Sequence, residues 1–387
     1  MTPSAGPRPH GLLGPAPGDT RIAGEYLVTV RPDAVRGDPA QASVEVAGAL
    51  AGRYGARVQE TYHRTGVAFL AGMDAEQAAR MAEDPQVEFV EQNAATPAPE
   101  ELTDERATVA TSPRSWGLDR IDQRHLPLDA SFSPPAVDTA TVTAYVVDSK
   151  VYTAHQEFAG RAEFAAEMTD YTDSYVPCKS HGTHVAATVA GRTFGVASAV
   201  RIKSLNIDCE CPSGGAETGA TYSSMKRAAE WIDADAEATG TPAVVNLSYG
   251  TRSATIRNSV NRGTVWVVSA GNDDEDDGNR ATAALIVAAS DEGDTRSPSS
   301  GWGPAVDLFA PGDKIWSAGI GSPDATERKS GTSMAAPHVA GAAVLYRAQY
   351  PRASAQEVMD AITAQATPDV VQDPKDSPDR LLYVGPR

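Results

Sequence analysis

Between Arg21 and Asn93 short apolar runs alternate with amphipathic stretches, and the order predicts strand (EYLVTV), helix (SVEVAGALAGRYG), strand (ARVQETY), strand (VAFLAGM), helix (AEQAARMAED), strand (VEFVEQN). That βαββαβ order is the ferredoxin-like split unit. The next segment, AATPAPEELTDERATVATSPRS, is poor in apolar residues and marked by proline and charge, which is linker composition. Beyond Trp116 the pattern changes. The runs VTAYVV, RIKSLNI, AVVNLSY, VWVVSA, ALIVAA and VDLFAP are continuously apolar and rich in β-branched residues, with helical stretches between them. Runs of this kind fit a parallel sheet covered on both faces, where ligand sites collect beyond the carboxyl ends of the strands. The expected organisation is a disordered tail over 1–20, a small α+β domain over 21–95, a linker over 96–112, and a larger α/β domain over 113–387.

The chain has 387 residues, 41% of them hydrophobic, enough for these two cores and against disorder throughout. Its net charge of −18, with 51 acidic against 33 basic residues, disfavours nucleic acid or an anionic membrane as partner. No stretch reaches the roughly 18 apolar residues of a spanning helix. The Pro- and Gly-rich head offers only GLLG where a secretory signal needs an apolar run of about 7–15 residues, so the compartment is left open. Three cysteines make neither a disulfide framework nor a zinc pattern, although one pair with one thiol left over fits.

Three polar residues stand out. Asp148 ends VTAYVVD, so an apolar strand delivers a carboxylate to the rim where sites are built; alone it is also explained by an Asx turn. His181 opens SHGTHVAATVAG, whose small and apolar residues predict a buried helix. The positive end of that helix favours the neutral imidazole a general base requires. His184, one turn on, reads as a buried structural residue, and HGTH lacks the spacing and glutamate of a zinc helix. Ser333, in SGTSMAAPHVAG, precedes an unbroken apolar helix with Pro337 expected near its first turn. It could be a plain N-cap, or a nucleophile whose oxyanion the dipole would stabilise. Asp, His, Ser in that chain order, each beside small residues, is a recognised order for a catalytic triad.

On these residues the sequence resembles the subtilase family of serine endopeptidases, and within it the proteinase K-like branch. VVDS, SHGTHVAATVAG and SGTSMAAPHVAG look like its aspartate, histidine and serine blocks, VVSAGN like the oxyanion block, and VVNLSYG like the strand that pairs with substrate. The resemblance implies a subtilisin-like parallel sheet with helices on both faces and hydrolysis through an acyl-enzyme. Ser333 would be the nucleophile, His181 the general base and later acid, and Asp148 the group that orients the imidazole. Asn272 would hold the oxyanion, and Ser248, Tyr249 and Gly250 would bind substrate. Residues 21–95 would be an inhibitory propeptide acting on its own chain, cut away after Arg106 so that Ala107 becomes the new N-terminus. The implied partners are a peptide or protein substrate and this propeptide, in a monomer. Cys178 and Cys209 match a disulfide of secreted members. No cofactor is expected: Asp307 keeps the position of one calcium ligand, but a lone carboxylate is not a calcium site.

The run GNDDEDDGN places Asp273, Asp274 and Glu275 directly after Asn272, where the family builds a wall of the specificity pocket. Concentrated negative charge there would favour Arg or Lys before the scissile bond; a solvated acidic loop is the competing reading. Lys150 stands where the family has glycine, and a positive φ there would strain it. The segment after Asn272 is about four residues short of the family pattern. These departures keep two other functions open: a dedicated precursor-processing protease or acyl-transfer ligase, and a pseudoprotease that binds without cutting.

Overall fold

The computed structural model describes residues 11–15, 18–97, 103–108, 115–169, 179–208, 219–249, 263–276 and 284–385. The first domain contains β1 (Gly11–Leu13), β2 (Thr20–Val30), α1 (Pro39–Tyr54), β3 (Arg57–Tyr62), β4 (Ala68–Gly72), α2 (Ala75–Ala82) and β5 (Val87–Thr96). Local chemistry fixes the helix ends. Asp38 accepts from the Gln41 N–H with Pro39 following, Gly55 closes α1 at φ 73°, and Asp74 with Gln77 forms a capping box at the start of α2. The sheet order β5-β2-β4-β3, antiparallel throughout, is the ferredoxin-like order. Its core packs Val28, Leu50, Phe69, Met81 and Val90 between sheet and helices.

Two expectations about the flanks need correction. Gly11–Leu13, assigned to a disordered tail, pairs with β5 in parallel, and Thr20 and Arg21 already pair with Ala95 and Ala94. The expected linker contains an ordered strand, β6 (Thr103–Thr108), whose alternation of polar side chains gives no apolar signal to sequence reading. β6 pairs with the second domain.

That domain runs α3 (Trp116–Ile121), β7 (Thr143–Asp148), β8 (Ala162–Glu167), α4 (His181–Ala190), β9 (Arg201–Asn206), β10 (Ala220–Thr221), α5 (Tyr222–Thr239), β11 (Ala243–Leu247) and β12 (Val265–Ser269). It continues through β13 (Leu285–Ser290), β14 (Leu308–Pro311), β15 (Ile315–Ala318), β16 (Ala325–Lys329), α6 (Thr332–Gln349), α7 (Ala355–Gln365), β17 (Thr367–Pro368) and β18 (Arg380–Leu381). Its main sheet is ordered β17-β18-β14-β13-β12-β11-β7-β9-β8, parallel from β8 to β18. α4 and α6 cover one face, meeting Val146, Val244, Val267 and Val287, while α5 covers the other over Tyr145, Val245 and Ile286. Strands buried on both faces explain the unbroken apolar runs. Among the described residues no helix is long and apolar enough to cross a membrane.

The two domains meet along α5. Glu230 accepts backbone N–H groups of His63, Arg64 and Thr65 at 2.8–3.0 Å, and Arg227 reaches Glu60 at 2.6 Å. Burial works against the charge on Glu230, but Lys226 and the donors of Thr65 and Arg64 outweigh it and hold its carboxyl below the ordinary range.

Candidate active site

Asp148 is the last residue of β7 and is completely buried. Its Oδ1 accepts the Ser149 N–H at 2.7 Å and lies 2.7 Å from His181 Nδ1. Ser149 closes the turn, its hydroxyl accepting from the Gly182 N–H at 2.9 Å. Gly182 is required here: a Cβ would lie 2.0 Å from the Ser149 carbonyl oxygen, so only glycine lets the start of α4 press against the Asp148 turn. His181 is the first residue of α4, and the Tyr249 ring meets its imidazole edge to face at 6.0 Å. Tyr249 is held in turn by Asp208, 2.5 Å from its hydroxyl. His184 is buried with Nε2 on the Ile315 carbonyl at 3.0 Å, and burial holds it well below the usual histidine range, in keeping with a structural role.

Ser333 is the second residue of α6, where the first N–H groups have no intrahelical acceptor. Gly331 precedes the helix at φ 143°, where a side chain would be strained and its Cβ would crowd Asn272. Asn272, three residues past β12, accepts the Thr332 N–H and hydroxyl, each at 2.9 Å, on Oδ1. Its Nδ2 is thereby left as the donor end beside Ser333. The Ser333 hydroxyl donates to the Ser248 carbonyl at 2.8 Å, and the Ser248 hydroxyl donates back to the Ser333 carbonyl at 3.0 Å. Pro337 explains that second bond. It sits in the second turn of α6 rather than the first, and its missing N–H would have bonded the carbonyl four residues earlier, that of Ser333. The free carbonyl is taken by Ser248.

The other expected site residues divide. Lys150 is not among the residues with positive φ, so the strain expected there is absent; its ammonium lies 3.9 Å from Glu167 and over the Phe164 ring. Asp274 is 2.5 Å from Lys375 and 3.0 Å from Arg296. The Lys375 contact first, then Arg296, holds its carboxyl below the ordinary value, so this charge is already matched. Asp273 and Glu275 flank it and are exposed. Arg106 and Ala107 lie in β6, opposite Glu327 and Thr326 of β16. Gly250, Cys178 and Cys209 lie outside the described residues. Asp307 is half-buried with Oδ2 accepting the Ile286 N–H, and desolvation of the carboxyl pushes it up to about 6. Among the described residues no three His, Cys, Asp or Glu side chains gather as metal ligands.

Sequence reading singled out neither Thr332 nor Ser149 as positioning residues, although both lie inside quoted motifs. Their hydroxyls act on neighbours within one or two residues of the expected site, and only the strand-end geometry reveals it.

A parallel sheet that collects an aspartate, a histidine and a serine at its carboxyl rim, beside an asparagine and a helix start, has the build of an α/β serine proteinase. The chain belongs to the subtilase family, whose model matches residues 119–380. It is 40% identical over 346 residues to an extracellular serine proteinase of Thermus sp. (strain Rt41A), covering 86% of this chain and 79% of that one. It is 33% identical over 382 residues to alkaline serine exoprotease A of Vibrio alginolyticus, covering 95% and 68%. Among solved structures it is similar to a cold adapted subtilisin-like serine proteinase, with a TM-score of 0.62, 34% identity, and coverage of 71% of this chain and all of the other. The protein is a subtilisin-like serine proteinase.

Proposed function

We propose that the protein is an endopeptidase made as a self-processing precursor, with Ser333, His181 and Asp148 as its triad. The observation that carries this reading is the 2.7 Å contact of His181 Nδ1 with buried Asp148, beside a serine at a helix start and an anchored Asn272. Contact with Asp148 fixes Nδ1 as the protonated nitrogen and leaves Nε2 to accept a proton. With substrate bound, the Ser333 hydroxyl turns from the Ser248 carbonyl, passes its proton to Nε2 and attacks the scissile carbonyl. Asn272 Nδ2 and the Ser333 N–H then hold the oxyanion. Nε2 returns the proton to the leaving amine, and water repeats the sequence to release the acyl group.

Residues 21–95 act as the propeptide, held on α5 by Glu230 and its neighbours. The β6 register supports a first cut N-terminal to Thr103 rather than after Arg106, because the N-terminal end of β6 points toward Ser333. A preference for Arg or Lys before the scissile bond would rest on the acidic run from Asp273 to Glu275; a peptide library cut after Leu or Phe would remove it. Intact mass after incubation at neutral pH tests the main reading. Wild type is expected to split between residues 97 and 103, and Ser333→Ala to stay whole with peptidase activity down by about 10⁴-fold or more. Equal splitting in both would overturn it.

A further inference from the structure

β16 lies between β15 and β6 in a three-stranded antiparallel sheet, so β6, which arrives from the junction of the two domains, covers its outer edge. A strand whose edge partner leaves presents a row of N–H and C=O groups that an extended peptide can pair with. The direction is informative. Thr103 faces Lys329, four residues before Ser333, and Thr108 faces Ala325, so β6 runs away from the nucleophile. A substrate lying this way with its scissile bond at Ser333 has its leaving-group side on β16.

Two cross-strand pairs on opposite faces of this ladder match in charge: Arg328 with Glu105 at 3.2 Å, and Glu327 with Arg106 at 3.3 Å. Glu327 is buried, and its two oxygens are treated differently. Oε2 accepts the Ser180 hydroxyl and lies 3.3 Å from Lys329, both from the catalytic domain. Oε1 lies 3.3 Å from Arg106 of β6. A peptide with a base at that position adds a second cation to this buried carboxylate beside Lys329, and one without it forgoes that ion pair, which is how the position would favour one ligand over another.

We propose that β16 is a leaving-group-side subsite that selects extended peptides carrying an acidic residue followed by a basic one, docked antiparallel as β6 is docked, with Arg328 and Glu327 setting the preference. The proposal rests on Ser333 being the nucleophile of a peptidase. β6 is the built-in occupant of this subsite and must leave before a substrate can use it.

Amide exchange in the uncut Ser333→Ala chain tests the recognition without requiring cleavage. Arg328→Glu is expected to speed exchange across residues 103–108 by about three- to tenfold, and adding Glu105→Arg to restore protection. Arg106→Gln gives the same loosening without altering β16. No change with either variant, or no restoration by the swap, overturns the proposal. Cleavage is then followed on peptides in which a Glu-Arg pair is moved stepwise along the leaving-group side, beside the Arg-Glu series. Wild-type kcat/KM is expected to peak about three- to tenfold at one offset, with Arg328→Glu reversing the choice at the facing position. Cleavage indifferent to the pair overturns the subsite; no cleavage of any peptide refutes the peptidase reading instead, and the exchange result alone decides strand recognition.

Discussion

The rim of the catalytic sheet and the seam along α5 both carry polar contacts, yet they are built differently. At the rim, close contacts fix the backbone itself. The start of α4 presses on the Asp148 turn through Gly182, and the start of α6 is fixed to Asn272 by Thr332 and to Ser248 by its own carbonyl. Along the seam a two-residue ladder of β10 on β5 and a small apolar cluster around Tyr222 are joined by ends of charged side chains: Glu230 on the 63–65 turn, Arg227 on Glu60, Lys226 over the Tyr62 ring. Close backbone packing has no partial state, whereas charged side chains exchange their partners for water at modest net change in free energy. The first construction suits a site that must hold its geometry, and the second suits a domain that must be released.

Changes at the rim should therefore act on turnover, and changes at the seam on docking alone. Asn272→Ala is expected to lower kcat by about 10²–10³-fold with little change in KM, since the lost donor serves only the developing oxyanion. A matching rise in KM would place Asn272 in ground-state binding instead. Gly182→Ala comes next: with nowhere for its Cβ, α4 must move, and about 1 Å at His181 lowers activity by about 10²-fold while unfolding is eased by a few kcal/mol. Normal activity in that variant would mean the Asp148 turn yields easily and would break the contrast. At the seam, Glu230→Ala should speed amide exchange of residues 63–65 in the uncut Ser333→Ala chain by about 10- to 100-fold, leaving exchange in α6 unchanged. Loosening of α6 as well would mean the two regions are one cooperative unit.

The same contrast governs how much the sequence disclosed. Elements that bury a face announce themselves by periodicity, so the ferredoxin-like order and the parallel strands are legible from Val, Ile and Leu alone. The site is legible because Asp148, His181 and Ser333 each interrupt an apolar run. β6 is not, since TDERAT carries no apolar periodicity and its pairing partner lies more than 200 residues away. Asp274 shows the same limit: a charge in sequence says nothing of the Arg296 and Lys375 that face it. Thr332 stays hidden because its work is done on a neighbour from a distant strand end.

The smallest expected effect is the pH response of the seam. The Glu230 carboxyl titrates below its ordinary 4.5 while docked, because Lys226 and the Thr65 and Arg64 donors outweigh the cost of burial. Undocked, it returns toward that ordinary value. The docked form thus binds fewer protons in the interval, so the stabilisation is fully present above about 4.5 and is lost as pH falls through the depressed docked value. Protection of residues 63–65 should be flat from about pH 8 to 5 and fall only in more acid solution, and Glu230→Gln should flatten that acid limb. A fall that is already under way between about pH 8 and 5, or one that survives Glu230→Gln, would assign the response elsewhere, and the carboxylate would no longer be the group that times release.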